Sequence, residues 1–581
     1  MKKLLRYLKS YRKETILAPL FKLLEASFEL FVPLVMARII DIGILQKDYH
    51  TIAGMGSVLV LLAAVGLAAS LTAQYFAAKA AVGFSTKLKH ELFSHIQSLS
   101  FGDMDTMGTS TLITRMTSDV NQVQNGVNLV LRLFLRSPFI VLGAMVMAFT
   151  IDVKAALVFV VAIPLLCIVV FGVMLYSIPL YKRVQTALDQ LTGRTRENLD
   201  GVRVIRAFNK QKEETEKFFD ENAELNQTQM LVGRIAAVMN PVTLVIINGS
   251  IIALLWIGAV KVNIGVLSQG QVVALVNYMS QILVELVKLA NLIISVNKAV
   301  ACGNRIQEIF EVQPGLVEAD TAIPVGNMDG VDDREEILRF DHVEFTYPGA
   351  KEPSLTDIDL SIKKGEVIGV IGGTGSGKTS LVHLIPRYYD ATKGHIYLAG
   401  KEISGYALKE LRDRVRVVLQ KSVLFEGTIR SNLLWGKKDA SEDELWRALS
   451  IAQAKEVVEK KADGLEEAVE QGGRNFSGGQ KQRLAIARAL VGDPKILVLD
   501  DSSSALDYAT DAALRKAIAT QLQGLTLFIV SQRAASVRGA DRILVLDDGK
   551  IVDIGTHDEL LARCPVYQEI YESQYGKEEQ A

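Results

Sequence analysis

The 581-residue chain has only three cysteines, and they lie far apart in the sequence. Cys167, Cys302 and Cys564 form no C-x-x-C pair, which excludes a disulfide scaffold and a thiolate zinc site. The chain also lacks a basic excess, because 64 Lys and Arg residues stand against 65 Asp and Glu residues. Nucleic acid is therefore not expected as a partner. With 49% hydrophobic residues, the composition also excludes a disordered chain.

Charged residues are scarce over long stretches of the first 300 residues. Val58–Ala69 and Ala155–Tyr176 contain none at all. Six stretches can each supply the roughly 20 apolar residues that a bilayer crossing needs. We therefore predict a membrane α-helical domain with six long transmembrane helices over residues 1–312. The cores of these spans lie near 16–44, 52–82, 128–150, 155–180, 234–260 and 270–296.

Basic residues predict the orientation of these spans. They concentrate at the N-terminus and after the second and fourth spans, so the positive-inside rule places these segments in the cytoplasm. The N-terminal segment predicts an amphipathic helix on the membrane lipid, with Leu4, Leu5 and Leu8 on one face. Residues 51–100 contain no proline, and one helix there would be about 75 Å long. We expect this helix and residues 181–229 to project into the cytoplasm as rods.

The composition changes at residues 313–336, which are rich in proline, glycine and aspartate and are typical of a linker. Beyond them, short β-like runs alternate with amphipathic helical segments. This alternation predicts an α/β domain on a largely parallel sheet over residues 337–581. The runs are ILRF, VEFTY, EVIGVI, RVRVVL, ILVLD, LFIV and RILVLD.

A glycine-rich motif follows the predicted strand at 366–371. It matches G-x-x-x-x-G-K-[ST], whose backbone N–H groups converge on phosphate oxygens. Lys378 is expected to neutralise the β- and γ-phosphates, and the Thr379 hydroxyl to ligate Mg²⁺. The predicted phosphate site consists of Gly372, Gly373, Thr374, Gly375, Ser376, Gly377, Lys378, Thr379 and Ser380.

Two further motifs support a nucleotide site. The apolar run 496–499 ends in Asp500 and Asp501, and in P-loop NTPases the first acid of such a strand holds Mg²⁺. A second glycine-containing turn opens an amphipathic helix and is predicted to form a backbone anion nest. Alone, this turn is weak evidence for a nucleotide site, but its position in the sequence between the other two motifs is specific to such a site. It comprises Ser477, Gly478, Gly479 and Gln480.

The order of these motifs resembles the nucleotide-binding domain of ABC transporters over residues 337–575. The resemblance rests on Tyr347, GGTGSGKT, Gln420, FSGGQ, ILVLDD and the SALD segment ending in Asp507. With six spans upstream, the whole chain resembles a half-transporter of the ABC exporter superfamily. The resemblance implies ATP as ligand and Mg²⁺ as cofactor, with Thr379, Gln420 and Asp500 as the cation's ligands.

The same resemblance implies roles at a subunit interface. Tyr347 would stack on adenine, and Gln420 would couple the cation site to the membrane domain. The signature residues 477–479 would grip the γ-phosphate of an ATP bound to the other subunit, and Asp507 would cross that interface. Segments near 102–108 and 207–212 occupy the positions of the family's coupling helices.

Two residues depart from the family pattern. Asp501 stands where most ABC ATPases have the catalytic glutamate, and Gln532 stands at the switch histidine. Aspartate is one methylene shorter, and a misplacement of about 1 Å can cost on the order of 10²-fold in rate. Glutamine cannot carry a proton. The pocket is predicted to bind ATP and to hydrolyse it poorly. The resemblance then implies the degenerate-site subunit of a bacterial heterodimeric multidrug exporter, whose partner has glutamate and histidine at these positions.

Charged residues also occur inside two spans. Lys22, Glu25 and Glu29 share one face of the first span, and Glu285 and Lys288 share a face of the sixth. One hypothesis is a substrate cavity lined by the three glutamates, with affinity for cations. The alternative, which we favour, is local Lys–Glu pairing.

The sequence therefore supports a subunit of an ATP-driven exporter in the bacterial cell membrane. It would move small amphipathic compounds, drugs or lipids, outward by alternating access. Two alternatives remain. One is a regulatory or gating ABC protein that does not pump, and the other is a homodimeric lipid flippase. Asp501 and Gln532 argue against the flippase.

Overall fold

A computed structural model describes residues 3–316, 336–502 and 505–575. Most of the predicted linker, and Ser504 of the SALD segment, lie outside these residues. The chain divides into two compact units. The first unit is Met1–Gln97 with Ser110–Val312, and the second is Ser98–Thr109 with Gln313–Ala581.

Residues 3–312 are largely helical, as predicted. The short α3 belongs to the second unit. Among the residues that the structure describes, five helical stretches are long and apolar enough to cross a membrane, the shortest of them 43 residues long. The helices are α1 Arg12–Arg38, α2 Tyr49–Ser98, α3 Phe101–Met107, α4 Thr109–Thr114, α5 Val120–Leu133, α6 Arg136–Ile151, α7 Val153–Asp200, α8 Val202–Ala207, α9 Gln211–Asn263 and α10 Gln269–Glu311.

The first predicted span differs from the other five. It consists of α1, 27 residues long, and a π-helical turn at Ile39–Ile44. Three charged residues in its middle make it less apolar than the others. The 50-residue α2 is continuous, which confirms the predicted single long helix.

Two short segments of this region are helical near the positions predicted for them, but their details differ from the prediction. The N-terminal segment Leu4–Tyr11 is a 3₁₀ helix, in which residues three apart eclipse each other. Leu4 and Tyr7 are therefore buried, whereas Leu5 is exposed and does not share the inward face. The segment predicted near 207–212 follows α8, which ends at Ala207, and extends into the start of α9 at Gln211; its role as a coupling helix stays a prediction.

A network of charged side chains connects three helices of the first unit. Arg136 of α6 donates from Nη1 to Glu285 of α10 at 2.6 Å and from Nη2 to Glu29 of α1 at 2.7 Å. Glu285 also accepts from Ser137 at 2.8 Å and from Lys288 at 2.8 Å. The two cations balance the two carboxylates, so the charges neutralise one another at membrane depth.

The local pairing that we favoured is present in both spans. Lys288 pairs with Glu285, and Lys22 donates to Glu25 at 2.5 Å and to Ser70 at 3.1 Å. Arg136 was not identified from the sequence, although it is the centre of the larger network.

The second unit contains two principal sheets. A six-stranded sheet has the order β12-β11-β3-β10-β9-β6, and a four-stranded sheet has the order β2-β1-β4-β5. The strands are β1 Glu336–Phe345, β2 Leu355–Lys363, β3 Val367–Gly372, β4 Lys393–Leu398, β5 Lys401–Glu402, β6 Val415–Val418, β7 Gly427–Thr428, β8 Ala468–Val469, β9 Ile496–Asp500, β10 Thr526–Val530, β11 Arg542–Asp547 and β12 Lys550–Gly555.

The parallel sheet predicted from the sequence is present, but it is not the whole domain. β6, β9, β10, β3 and β11 run parallel, and β12 is antiparallel to β11. The four-stranded sheet is antiparallel throughout. The predicted run ILRF and the first three residues of VEFTY belong to the single strand β1, whereas β2 and β4, which form no continuous apolar run, were not predicted.

The remaining helices surround these sheets. They are α11 Lys378–Leu384, α12 Leu408–Arg414, α13 Ile429–Leu433, α14 Glu442–Ile451, α15 Lys455–Glu459, α16 Gly478–Leu490, α17 Tyr508–Gln521, α18 Ala534–Val537, α19 His557–Arg563 and α20 Pro565–Tyr575. Along β9, Leu497 and Leu499 join one buried cluster, and Ile496 and Val498 join the other. Both faces of the parallel sheet are therefore covered.

The charged network generates a stability prediction. Breaking a buried ion pair by removing one partner typically costs about 3–5 kcal/mol. We expect Arg136→Met to lower the thermal unfolding midpoint of the full-length protein in detergent, because Glu285 loses its closest cation. The matched control, Arg136→Met with Glu285→Met, removes both buried charges and should recover most of the loss. An Arg136→Met variant as stable as the parent would contradict a structural role.

Candidate nucleotide-binding site

The phosphate-binding loop connects β3 to α11. Gly377 has φ +93°, and a Cβ there would lie 2.7 Å from the Ser354 carbonyl oxygen, so only glycine fits. A Cβ at Gly373 or Gly375 would meet no atom within 4 Å. The loop therefore leaves an open cradle above its backbone, as the motif predicts.

Lys378 is anchored inside this loop. Its ammonium donates to the carbonyl oxygens of Gly372 at 3.0 Å and Gly373 at 2.5 Å. Burial lowers the pKa of Lys378, and the nearby carboxylates of Asp501 and Asp500 oppose that shift. The cation is thus held at the mouth of the cradle, where it can meet a phosphate.

The carboxylate of Asp500 lies at the end of β9 and is only 2% exposed. Its Oδ1 accepts from the Thr379 hydroxyl at 3.1 Å, and its Oδ2 lies 3.6 Å from Nε2 of His383. Burial raises the pKa of Asp500, as does the adjacent charge of Asp501, while the Thr379 bond opposes the rise. A hydroxyl and one carboxylate form a small set of oxygen ligands, which suits Mg²⁺ that also binds substrate phosphates.

Asp501 is the first residue after β9. It adopts φ +44° and donates its backbone N–H to the Val530 carbonyl at 3.0 Å. Its Oδ2 accepts from the Gln420 side chain at 3.1 Å. The residues predicted at the hydrolytic and coupling positions are therefore hydrogen-bonded to each other beside the cradle.

Gln532 follows β10, and the C-terminal helix holds its backbone. Gln574 of α20 donates from Nε2 to the Gln532 carbonyl at 2.7 Å and accepts from the Ala534 N–H at 2.9 Å. One side chain thus fixes both sides of the switch position. This contact was not predicted, because nothing in the sequence pattern of α20 relates it to residue 532.

These groups line one pocket of about 550 Å³. Its size is within the range of small-molecule sites. Within the described residues, no group of three or more His, Cys, Asp and Glu side chains is arranged to hold a metal. A cation here would therefore depend on Asp500, Thr379, Gln420 and the ligand's own oxygens. The lining residues are Tyr347, Glu352, Pro353, Ser354, Thr374, Gly375, Ser376, Gly377, Lys378, Thr379, Ser380, Gln420, Asp500, Asp501, Val530, Ser531, Gln532, Asp548 and Gly549.

Tyr347 forms one wall of the pocket. Its hydroxyl lies 3.0 Å from the Ser380 hydroxyl, and its ring contacts Phe345 and Tyr389 edge to face. Burial raises the pKa of Tyr347. The ring is a rigid apolar surface at the pocket, and its stacking on adenine stays a prediction.

The signature residues lie elsewhere in the domain and do not line this pocket. Ser477 caps α16, because its hydroxyl accepts from the Gln480 N–H at 3.3 Å and its own N–H donates to Gln480 Oε1 at 3.0 Å. A Cβ at Gly478 would meet no atom within 4 Å, so the helix N-terminus is open. Asp507 caps α17 by accepting from the Thr510 N–H at 2.9 Å.

A second cavity lies in the membrane unit. It measures about 410 Å³, and its polar lining consists of Glu29, Asn277, Ser280, Gln281, Glu285 and Lys288. Glu25, predicted with the other two glutamates, does not line it. The three hydrogen bonds to Glu285 already occupy both of its oxygens. Two of the three glutamates therefore line one polar pocket, and its use as a substrate cavity stays a prediction.

Comparison with known proteins identifies the family. The protein family described as "ABC transporter transmembrane region" matches residues 15–286, and the family described as "ABC transporter" matches residues 355–504. The chain is 37% identical over 579 residues to the uncharacterized ABC transporter ATP-binding protein YfiB of Bacillus subtilis (strain 168), covering 100% of this chain and 99% of YfiB. The chain belongs to the ABC transporter family.

Two further relatives agree with this assignment. An ATP-dependent lipid A-core flippase of Desulfotalea psychrophila (strain LSv54 / DSM 12343) is 30% identical, over 83% of each chain. The solved structure of a bacterial Atm1-family ABC exporter with ATP bound has a TM-score of 0.78 and 21% identity, covering 98% of this chain and 99% of that one. The ABC transporter described here therefore has the exporter fold.

Family membership gives the transporter its general mode of action. It is a multi-pass membrane protein with a cytoplasmic nucleotide-binding domain, and its transport is driven by ATP. One chain contains one membrane region and one nucleotide-binding domain, which confirms the predicted half-transporter architecture.

The contact between α20 and the switch loop can be tested separately from activity. Gln574→Ala removes both hydrogen bonds, and each is worth about 1 kcal/mol. We expect the Ala534 amide of the full-length transporter to exchange its hydrogen about 5- to 10-fold faster. Gln574→Glu keeps the acceptor and should preserve Ala534 protection. Equal exchange in the parent and Gln574→Ala proteins would show that this contact does not hold the loop.

Proposed function

We propose that this transporter is the degenerate-site subunit of a heterodimeric exporter. Its own pocket binds ATP with Mg²⁺ and hydrolyses it slowly. Its signature motif completes the hydrolytic site of a second half-transporter. The observation that carries the proposal is the pair of Asp501 and Gln532 in the wall of an otherwise complete nucleotide pocket.

The binding part of the pocket meets the requirements of a nucleotide triphosphate. The open cradle offers backbone N–H groups to phosphates, and Lys378 adds a fixed positive charge. Thr379 and Asp500, with Gln420 nearby, supply oxygen ligands for Mg²⁺. When bound, Mg²⁺ neutralises phosphate charge.

The hydrolytic part of the pocket is weaker. Asp501 is short, and its Oδ2 already accepts a hydrogen bond from Gln420 at 3.1 Å. A carboxylate engaged in this way is less free to orient an attacking water. Gln532 can donate a hydrogen bond to a phosphate but cannot move a proton. Both changes reduce turnover and leave the binding groups in place.

The signature motif supports the proposal that this chain functions as one subunit of a dimer. Its open helix N-terminus offers N–H groups to an anion, yet it does not line the chain's own pocket. A ligand for this surface must come from another nucleotide-binding domain. A partner with glutamate and histidine at the altered positions would give one competent site and one degenerate site per dimer.

We propose that the transported compound binds in the polar cavity of the membrane unit. Glu285 is saturated by Arg136, Ser137 and Lys288, whereas Glu29 accepts one bond and its side chain is 39% exposed. Glu29 is therefore the acid with capacity for a ligand. An amphipathic compound with a cationic or hydrogen-bonding group would satisfy it while its apolar part contacts neighbours such as Val32 and Val284.

A second candidate is a homodimeric lipid flippase. The observation that favours it is the relationship to the ATP-dependent lipid A-core flippase of Desulfotalea psychrophila. A homodimer would need both of its identical sites to turn over with Asp501 and Gln532. A purified homodimer that hydrolyses ATP rapidly would favour this candidate over the heterodimer.

Matched variants in the complex purified from native membranes, through a tag on this chain, test the proposal. Gly478→Glu places an anion where the partner's γ-phosphate must bind, and losing one transition-state donor alone costs about 10²- to 10³-fold. We expect steady-state ATPase at saturating ATP to fall at least that far. Asp501→Ala should retain more than about a third of the parent rate, because its site contributes little turnover.

Gly478→Ala is the structural control, because an added Cβ at this position has open space. It should match the parent in stability and retain more activity than Gly478→Glu. Mass spectrometry of the same preparation should identify a second half-transporter. If Asp501→Ala abolishes turnover while Gly478→Glu is tolerated, this chain carries the working hydrolytic centre and the proposal is wrong.

A further inference from the structure

His383 stands out among the buried polar groups of the second unit. Its side chain is 16% exposed, and within the described residues its Nε2 has no hydrogen-bond partner within 3.5 Å. The nearest carboxylate is Asp500, whose Oδ2 lies 3.6 Å from Nε2. None of the nucleotide-binding motifs accounts for this residue.

The position of His383 follows from the geometry of α11. Residues four apart lie on one face of a helix, and His383 is four residues after Thr379. The two side chains therefore approach the same carboxylate, Thr379 at Oδ1 and His383 at Oδ2. Asp500 is flanked at both oxygens by neighbouring turns of the phosphate-loop helix.

The other side of the His383 ring faces aromatic residues. Its ring centroid is 5.5 Å from that of Tyr388, edge to face, and 6.4 Å from that of Tyr389, with the planes 15° apart. These tyrosines contact α3, the short helix that follows α2. Phe101 stacks on Tyr388 with centroids 4.5 Å apart, and the Tyr389 hydroxyl donates to Asp105 at 2.6 Å.

We propose that His383 is a positioning residue that holds Asp500 for the nucleotide-bound cation and connects the cation site to α3 through Tyr388 and Tyr389. This inference rests on the proposed binding of ATP and Mg²⁺ in this pocket. It assigns the chain a connection from the nucleotide to α3, in addition to the coupling to the membrane domain that is expected for Gln420. A subunit that hydrolyses ATP slowly can still report through this connection that ATP is bound.

The imidazole ring of His383 offers both a hydrogen-bond donor and an aromatic surface, and substitutions can remove one and keep the other. With hydrogen on Nε2, the imidazole donates toward Asp500 Oδ2, and a small movement of either group closes the 3.6 Å gap. The ring faces supply the packing on the tyrosines. A phenylalanine would keep the packing and lose the donor, whereas a glutamine would keep a donor at similar reach and lose the ring.

The first measurement is cation affinity, with Mn²⁺ as the probe because it accepts the same oxygen ligands. Electron paramagnetic resonance of the purified complex with ATP reports bound Mn²⁺, and the signal lost in Lys378→Ala belongs to this pocket. We expect His383→Phe to weaken Mn²⁺ binding about 5- to 10-fold and His383→Gln to stay within about 2-fold of the parent.

The second measurement is hydrogen exchange in Phe101–Met107 with and without ATP and Mg²⁺. The parent should gain protection in α3 on binding. His383→Gln should lose most of that gain although it binds the cation, and so should Tyr389→Phe, which lacks the hydroxyl that bonds Asp105.

The outcomes distinguish this inference from the proposed function. If the parent complex shows no Mn²⁺ signal that depends on Lys378, the proposed nucleotide binding itself fails. If the parent binds normally and His383→Phe binds Mn²⁺ equally well, the positioning role is overturned. If α3 gains the same protection in the parent, His383→Gln and Tyr389→Phe proteins, the connection to α3 is overturned.

Discussion

The functional site depends on the parallel alignment of β3, β10 and β9 in the centre of one sheet. Val530 of β10 lies beside Val370 of β3 and Asp500 of β9, so these strands end at one edge. The phosphate loop, the switch loop and the two aspartates therefore meet, although the phosphate loop is more than a hundred residues away from the other two in sequence. Apolar residues on both faces hold the strands in this register. Any change that shifted β9 along β10 would move Asp500 away from Thr379 and Lys378.

This arrangement also explains how binding and hydrolysis can separate in one pocket. The binding groups are tied to the phosphate loop and its helix, where glycine geometry and the buried Lys378 keep them in place. The hydrolytic positions lie one residue beyond the end of β9 and two residues beyond the end of β10. Asp501 and Gln532 can therefore differ from the family pattern without disturbing the cradle. The contact between Gln420 and Asp501 keeps both side chains at the pocket wall.

Local sequence patterns predicted the parts of the molecule that are themselves local. The phosphate loop, the strand ending at Asp500 and the cap of α16 are contiguous motifs, and the structure has each of them where the sequence places it. The 50-residue α2 was evident from a run without proline. His383 could have been found from the same information, because its i, i+4 spacing from Thr379 puts both on one face of α11.

The features that were missed depend on pairings between distant segments. Arg136 bonds Glu29 and Glu285, which are 107 and 149 positions away. Gln574 reaches Gln532 from the last described helix. β2 and β4 were not predicted from the sequence. The antiparallel sheet exposes part of each strand, so neither strand forms a continuous apolar run. The departures at Asp501 and Gln532 could be recognised only by comparison with the family pattern, because a single sequence does not show that a residue is unusual.

Nucleotide trapping tests the central claim most directly. The complex purified through a tag on this chain is allowed several turnovers with radiolabelled ATP and Mg²⁺, and free nucleotide is then removed. The parent complex should retain intact ATP in the pocket of this chain after ADP has formed at the partner's site, and Lys378→Ala should abolish the retained ATP. Recovery of ADP alone, in an amount that matches both sites, would contradict the account, because both pockets would then hydrolyse ATP at similar rates.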